Sequence, residues 1–201
     1  MPMPAHAPSG LVVVGCSAGG LAVCNVLLSG LAPGDDLALV IVQHRGARPS
    51  ALAKILDRAG PLPVREPDDK APLVRDTVYL APADYHLLVE NDHIELSTDA
   101  PVAFSRPSID VSFAAAAASW GRRLVAVVLS GANEDGTAGA REVIAHGGAL
   151  VVQDPATATA PIMPASVLAA GLPARVAAPE ELAAAIRAAV ADQRHAIGGA
   201  A

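Results

Sequence analysis

The chain has 201 residues, 52% of them hydrophobic but only 2% aromatic, and its 20 acids outnumber its 14 lysines and arginines, giving a formal net charge of −6. These figures fit one domain packed from small aliphatic side chains, with no room for a second. They argue against an aromatic base-stacking platform, a nucleic-acid partner and an anionic membrane surface, which leaves a protein or a small molecule as the default partner. No apolar run reaches membrane-spanning length, and the first ten residues lack the charged and apolar regions of a signal peptide, so membrane insertion is not expected and a cytoplasmic location is.

Residues 1–10 read as a tail. The first strand is expected at 11–14, from Leu11-Val12-Val13-Val14, followed by a helix to about residue 28. A strand at 37–42 and a helix at 50–59 come next, then a strand at 77–80. The runs 87–89 and 94–96 flank Glu90-Asn91-Asp92, a polar turn that predicts an antiparallel hairpin. A helix at 110–118 capped by Ser108, a buried strand at 124–129 and a helix at 138–146 stopped by Gly147-Gly148 continue the alternation. A strand at 150–152 and helices at 164–170 and 180–193 complete a domain spanning 11–195, with 196–201 as a second tail. Short Val/Leu/Ile runs alternating with alanine-rich helices predict a doubly wound α/β fold: a mainly parallel sheet, helices on both faces and an inserted antiparallel hairpin.

The most informative stretch is Gly15-Cys16-Ser17-Ala18-Gly19-Gly20, directly after the first strand. A tight glycine turn opening into a helix would present the Ser17 hydroxyl at its apex, with helix N-terminal N–H groups aimed at the same spot. The same residues also read as a degenerate dinucleotide loop, which should be followed by an acid at the end of the second strand. Gln43-His44 stands there instead, which disfavours a nucleotide cofactor. On the loop alone, a nucleophile turn and a structural glycine turn remain equal. Cys16 and Cys24, the only cysteines, have neither metal nor disulfide spacing. Both are expected reduced, with Cys16 packed inward.

Sites in open α/β sheets form at the carboxyl ends of strands. His44 follows the second strand, and Asn133-Glu134-Asp135 follows the strand ending at Leu129, so serine, histidine and carboxylates share one rim. A nucleophilic serine needs a base and a group that fixes the base's tautomer. His6, His93, His146 and His195 fall at surface positions. His86 is the rival to His44, because Leu80-Ala81-Pro82-Ala83-Asp84-Tyr85-His86 also leaves a strand end. The chain order Ser, His, Asp differs from that of the α/β-hydrolases, where the acid precedes the histidine.

Over nearly its whole length the chain resembles the catalytic domain of the chemotaxis receptor methylesterases, the CheB family. The resemblance is carried by Val13-Val14-Gly15-Cys16-Ser17-Ala18-Gly19-Gly20, Val42-Gln43-His44, Tyr79-Leu80-Ala81-Pro82 with His86, Arg106-Pro107-Ser108-Ile109-Asp110-Val111, Leu129-Ser130-Gly131 through Glu134-Asp135-Gly136, and Gln153-Asp154-Pro155. It implies a cytoplasmic enzyme that hydrolyses glutamate γ-methyl esters on methyl-accepting chemoreceptors, releasing methanol, often with a related glutamine deamidase activity and with no metal or organic cofactor. The family's serine falls on Ser17, its histidine on His44 and its aspartate on Asp135, with oxyanion donors from the backbone at Ala18 and Ala132. Many members carry methionine where this chain has Ala132, a change that keeps the backbone donor. Arg106 and His86 are candidates for substrate contact, Arg106 equally for anchoring its loop. Family members usually carry an N-terminal receiver domain, whereas here the catalytic strand is expected from about residue 11, so phosphorylation control within the chain is not expected. The alternatives are a catalytically silent signalling module of the same fold and a nucleotide-binding protein.

Overall fold

A computed structural model describes residues 7–46 and 50–198. Residues 1–6 and 199–201 of the expected tails lie outside the described residues, whereas Gly10 belongs to the first strand and 196–198 to the last helix. Seven strands form one parallel sheet: β1 (Gly10–Cys16), β2 (Leu37–Gln43), β3 (Val64–Arg65), β4 (Thr77–Leu80), β7 (Leu124–Val128), β8 (Ala149–Gln153) and β9 (Arg175–Ala177), in the order β3-β4-β2-β1-β7-β8-β9. The remaining strands, β5 (His86–Val89) and β6 (Ile94–Ser97), pair antiparallel as a separate two-stranded sheet. The helices are α1 (Gly20–Ser29), α2 (Leu52–Asp57), α3 (Ile109–Trp120), α4 (Thr137–Ala145), α5 (Ile162–Ala169) and α6 (Leu182–Gly198).

Alternation along β1 divides the core in two. Val12, Val14 and Cys16 pack with Leu27 of α1, Leu56 of α2 and Ile186 of α6, while Leu11 and Val13 pack with Phe113 of α3, Val143 of α4 and Val167 of α5. Strands covered on both faces must be apolar throughout, and all seven residues of β1 are buried. The hairpin lies over α3, where Ser112 Oγ donates to Leu87 O (2.7 Å) and Trp120 Nε1 donates to Glu90 O (3.0 Å).

The doubly wound fold is as expected, and the differences are at its edges. β3 and β9 escape a reading based on apolar runs because they are two and three residues long and largely exposed. α2 is shorter than the predicted 50–59, and α6 runs beyond residue 193. No described helix is long and apolar enough to cross a membrane.

After β1 the chain runs outward through β2 to the edge strand β3, comes back to β4 between them, and with β7 crosses to the other side of β1. The connections leaving β1 and β7 therefore run to opposite faces, opening a crevice between the carboxyl ends of these strands. Gly15 matters here for its missing side chain. A Cβ at this position would lie 2.4 Å from Ile109 Cγ2, so the glycine is the seat that lets the first residue of α3 settle on the end of β1. Gly15→Ala is expected to lower stability by about 1–3 kcal/mol through overpacking, read as a lower midpoint in thermal denaturation. An unchanged midpoint would mean that α3 is not seated on this glycine.

Candidate active site

Ser17 sits where β1 becomes α1. Gly19 adopts φ +79°, and Ser17 O accepts from Gly20 N–H at 3.0 Å, closing the turn. A Cβ on Gly19 would meet Ser130 Oγ at 2.7 Å and Thr159 Cβ at 2.5 Å, so both its conformation and its surroundings exclude a side chain. The backbone on either side is held from neighbouring strand ends. Ser17 N–H donates to Ser130 O (2.9 Å), Gln43 Nε2 donates to Ser17 O (3.0 Å), and Ser130 Oγ donates to Ala18 O (2.7 Å). Among the described residues, the Ser17 hydroxyl and the N–H groups of Ala18 and Ala132 have no hydrogen-bond partner. Ala18 and Ala132 are exposed.

Strand register places His44 beside this turn. Cys16 pairs with Gln43, and His44 N–H donates to Cys16 O at 3.0 Å, so Ser17 and His44 are the first residues to leave two adjacent parallel strands. His44 Nε2–H donates to Asp135 Oδ2 at 2.7 Å, leaving the Nδ1 lone pair for a proton. The Asp135 side chain is fully buried, while the neighbouring Glu134 is exposed. The structure thus brings His44 and Asp135 into contact at the crevice that Ser17 borders.

A buried carboxylate needs donors, and Asp135 takes them from the N-terminus of α3. Ile109 N–H donates to Oδ2 (2.8 Å), while Asp110 N–H (2.9 Å) and Ser108 Oγ (3.1 Å) donate to Oδ1. Asp110 returns the arrangement, its Oδ1 accepting from Gly136 N–H (2.9 Å) and Gly139 N–H (2.7 Å) at the start of α4. Each helix N-terminus is therefore satisfied by a carboxylate attached to the other. Burial pushes the Asp135 carboxyl up, but the hydrogen bonds from His44, Asp110 and Ile109 outweigh it and hold it below the usual carboxylate range. For Asp110, burial wins: aided by the Asp135 charge, it raises the carboxyl despite the glycine N–H groups.

Cys16 is buried as expected, its Sγ donating to Gln43 Oε1 (2.9 Å) and lying 3.6 Å from Cys24 Sγ. The Cys24 contact and burial keep this thiol well above its ordinary pKa, which argues against a thiolate nucleophile. His86 departs from the expectation of a substrate contact. It is 1% exposed, accepts from Ser108 N–H at Nδ1 (3.2 Å) and donates from Nε2 to Ala100 O (3.2 Å), so both ring nitrogens are spent bracing loops. Arg106 borders a cleft of about 450 Å³ together with His44 and Arg45, but its guanidinium is engaged with Asp84 (2.6 Å) and with the carbonyls of Thr98 (2.8 Å) and Asp99 (2.9 Å). Its evident work is to anchor the loop. Gln43, Ser130, Asp110 and the buried Gln153, which accepts from Ser130 N–H at 2.9 Å, are positioning residues that a reading of strand ends does not distinguish from turn formers. Among the described residues, no group of three or more His, Cys, Asp or Glu side chains could hold a metal ion.

Residues 12–186 match the CheB methylesterase family over most of the chain. The chain belongs to the CheB methylesterase family. The catalytic domain of Thermotoga maritima CheB methylesterase superposes with a TM-score of 0.84 at 28% identity, covering 90% of this chain and 98% of that one. A Leptospira interrogans protein, provisionally named a protein-glutamate methylesterase/protein-glutamine glutaminase, is 40% identical over 79% of this chain and 83% of its own length. Proteins of that name from Nocardioides sp. and Myxococcus xanthus are each 39% identical, over 86% and 87% of this chain. The CheB-like chain spans 49% and 50% of the lengths of those two relatives.

The depressed pKa of Asp135 has a definite sign in stability. A carboxyl whose folded pKa lies below its unfolded value, about 3.9, contributes stability above that value and loses it as pH falls through the folded one. In urea denaturation, the stability gap between the parent and Asp135→Asn is expected to be widest near neutral pH and to shrink below about pH 4. A gap that widens on acidification would contradict this charge assignment.

Proposed function

We propose that the chain is a cytoplasmic serine hydrolase that removes the methyl group from glutamate γ-methyl esters on methyl-accepting chemoreceptors. The observation that carries this reading is the 2.7 Å bond between His44 Nε2 and buried Asp135, at a strand end adjacent to Ser17, in a chain of the CheB methylesterase family. Ser17 Oγ attacks the ester carbonyl while its proton passes to His44 Nδ1, and Asp135 holds the imidazole in the tautomer that leaves this nitrogen free. The N–H groups of Ala18 and Ala132 stabilise the oxyanion. Collapse breaks the bond to the methoxy oxygen, which takes the proton from His44 and leaves as methanol. Water, deprotonated by His44, then attacks the Ser17 acyl ester; the Ser17 Oγ bond breaks, His44 returns the proton to that oxygen, and the glutamate carboxylate is released. With a glutamine side chain the same steps release ammonia, as the glutaminase part of the relatives' names would require.

Methanol release from a methylated chemoreceptor tests the assignment. Ser17→Ala is expected to lose on the order of 10³-fold or more in turnover, and Asp135→Asn on the order of 10⁴-fold, because an amide favours the wrong imidazole tautomer. Cys16→Ala and Glu134→Gln should retain activity, His44→Gln should match Ser17→Ala, and His86→Gln, provided it folds, should remain active. Severe loss in Glu134→Gln beside an unaffected Asp135→Asn would overturn the assignment. A folded parent with no turnover would favour a silent signalling module.

A further inference from the structure

Beside the His44 cleft, the chain displays one of its few aromatic side chains entirely to solvent. The sequence holds 2 Phe, 2 Tyr and 1 Trp, and Phe104 is fully exposed, at 103% of its reference area. The backbone beneath it is unusual as well. Val102 N–H donates to Ser105 O (3.1 Å) and Ser105 N–H to Val102 O (2.9 Å), closing a two-residue turn in which Ala103 and Phe104 have φ of 47° and 65°. Positive φ at both central positions is the pattern of a type I′ turn, normally filled by Asn-Gly because L side chains are strained there. Arg106 fastens this loop to Asp84 and to the carbonyls of Thr98 and Asp99, so the aromatic ring is carried on a braced support.

Its place in the fold suggests a use. Phe104 borders the cleft formed with His44, Arg45 and Arg106, and also the neighbouring one formed with Asp135, Glu134 and Arg141. The cleft with His44 is lined mainly by polar groups, and Phe104 stands between the two clefts as a large, fully exposed apolar side chain. An ester that reacts at Ser17 must also come within reach of His44, and Phe104 lines the same cleft as His44.

We propose that Phe104 is a specificity-determining contact, an apolar anchor that packs against an aliphatic side chain flanking the esterified glutamate on the substrate protein. This rests on the methylesterase reading above and adds a subsite to it. A flat apolar contact made equally in the ground and transition states acts on KM and leaves kcat alone.

The probes are two peptides, each with one glutamate γ-methyl ester, flanked in one by leucines and in the other by serines, with methanol release as the readout. Phe104→Ser is expected to raise KM on the leucine peptide about tenfold, the scale of removing an aromatic anchor, with kcat within about twofold of the parent. Phe104→Leu should recover most of the difference, and on the serine peptide the parent and Phe104→Ser should have similar KM. An equal rise on both peptides, no rise on either, or a parent dimer that Phe104→Ser dissociates in sedimentation velocity would overturn the proposal. Ser17-dependent methanol release without a Phe104 effect sinks this inference alone, whereas a parent that releases methanol from neither peptide sinks the methylesterase reading and this one with it.

Discussion

The site is organised around the burial of one carboxylate. Moving an isolated charge from water into a protein interior costs several kcal/mol unless donors surround it, and Asp135 is buried with its side chain fully enclosed. Three of its donors come from residues 108–110, so the N-terminus of α3 cannot move away without stranding the charge. The requirement propagates in both directions. Ile109 must sit on Gly15 at the end of β1, and Asp110 must reach the glycine N–H groups that open α4. Asp135 Oδ1 accepts a further bond from Gly136 N–H (3.0 Å), and Oδ2 faces His44, whose ring is thereby fixed in orientation and tautomer.

The parallel sheet supplies the other half of the geometry. Because β1, β2 and β7 all end on one rim, three short backbone segments meet there without any long loop. Their meeting is enforced by side-chain amides and a hydroxyl on the backbone of the turn: Gln43 on Ser17 O, Ser130 on Ala18 O, and Gln153 on Ser130 N–H. The bond from buried Ser130 N–H to Gln153 gives that backbone group a partner, and the other two pin the carbonyls on either side of the turn. The Ser17 hydroxyl, like the N–H groups of Ala18 and Ala132, has no partner among the described residues, which leaves it available for chemistry. The adjacent cysteine differs by a single step along the strand. Alternation turns Cys16 into the core, where its thiol stays protonated, and leaves Ser17 as the residue that emerges.

The outer rim is built by a different kind of interaction. His86, nearly inaccessible, bridges Ser108 and Ala100, and Arg106 joins Asp84 to the carbonyls of the 98–99 segment. These two side chains brace the surface over which a protein substrate would pass. Their basic character suggests substrate binding when read in isolation. In the fold, their hydrogen-bonding capacity is consumed within the chain.

Much of this was legible in the sequence. The alternation of short apolar runs with alanine-rich helices determined a doubly wound sheet, since strands buried on both faces cannot be amphipathic. The glycine turn after the first strand marked Ser17, and the positions of His44 and Asp135 after later strands placed them on the same rim. Strand order then determines what can be neighbours, and that order depends on contacts far apart in sequence. Nothing local identifies β3 or β9, two- and three-residue edge strands whose pairing rests on the rest of the sheet. Nothing local distinguishes the carboxylate of Asp110 as the partner of another helix rather than a favourable charge in its own, or His86 as a buried brace rather than a second base. Residue type and spacing determined which groups were available to the site; only tertiary structure decided which were spent on holding it together, because hydrogen-bonding capacity is consumed by whatever the fold brings within reach.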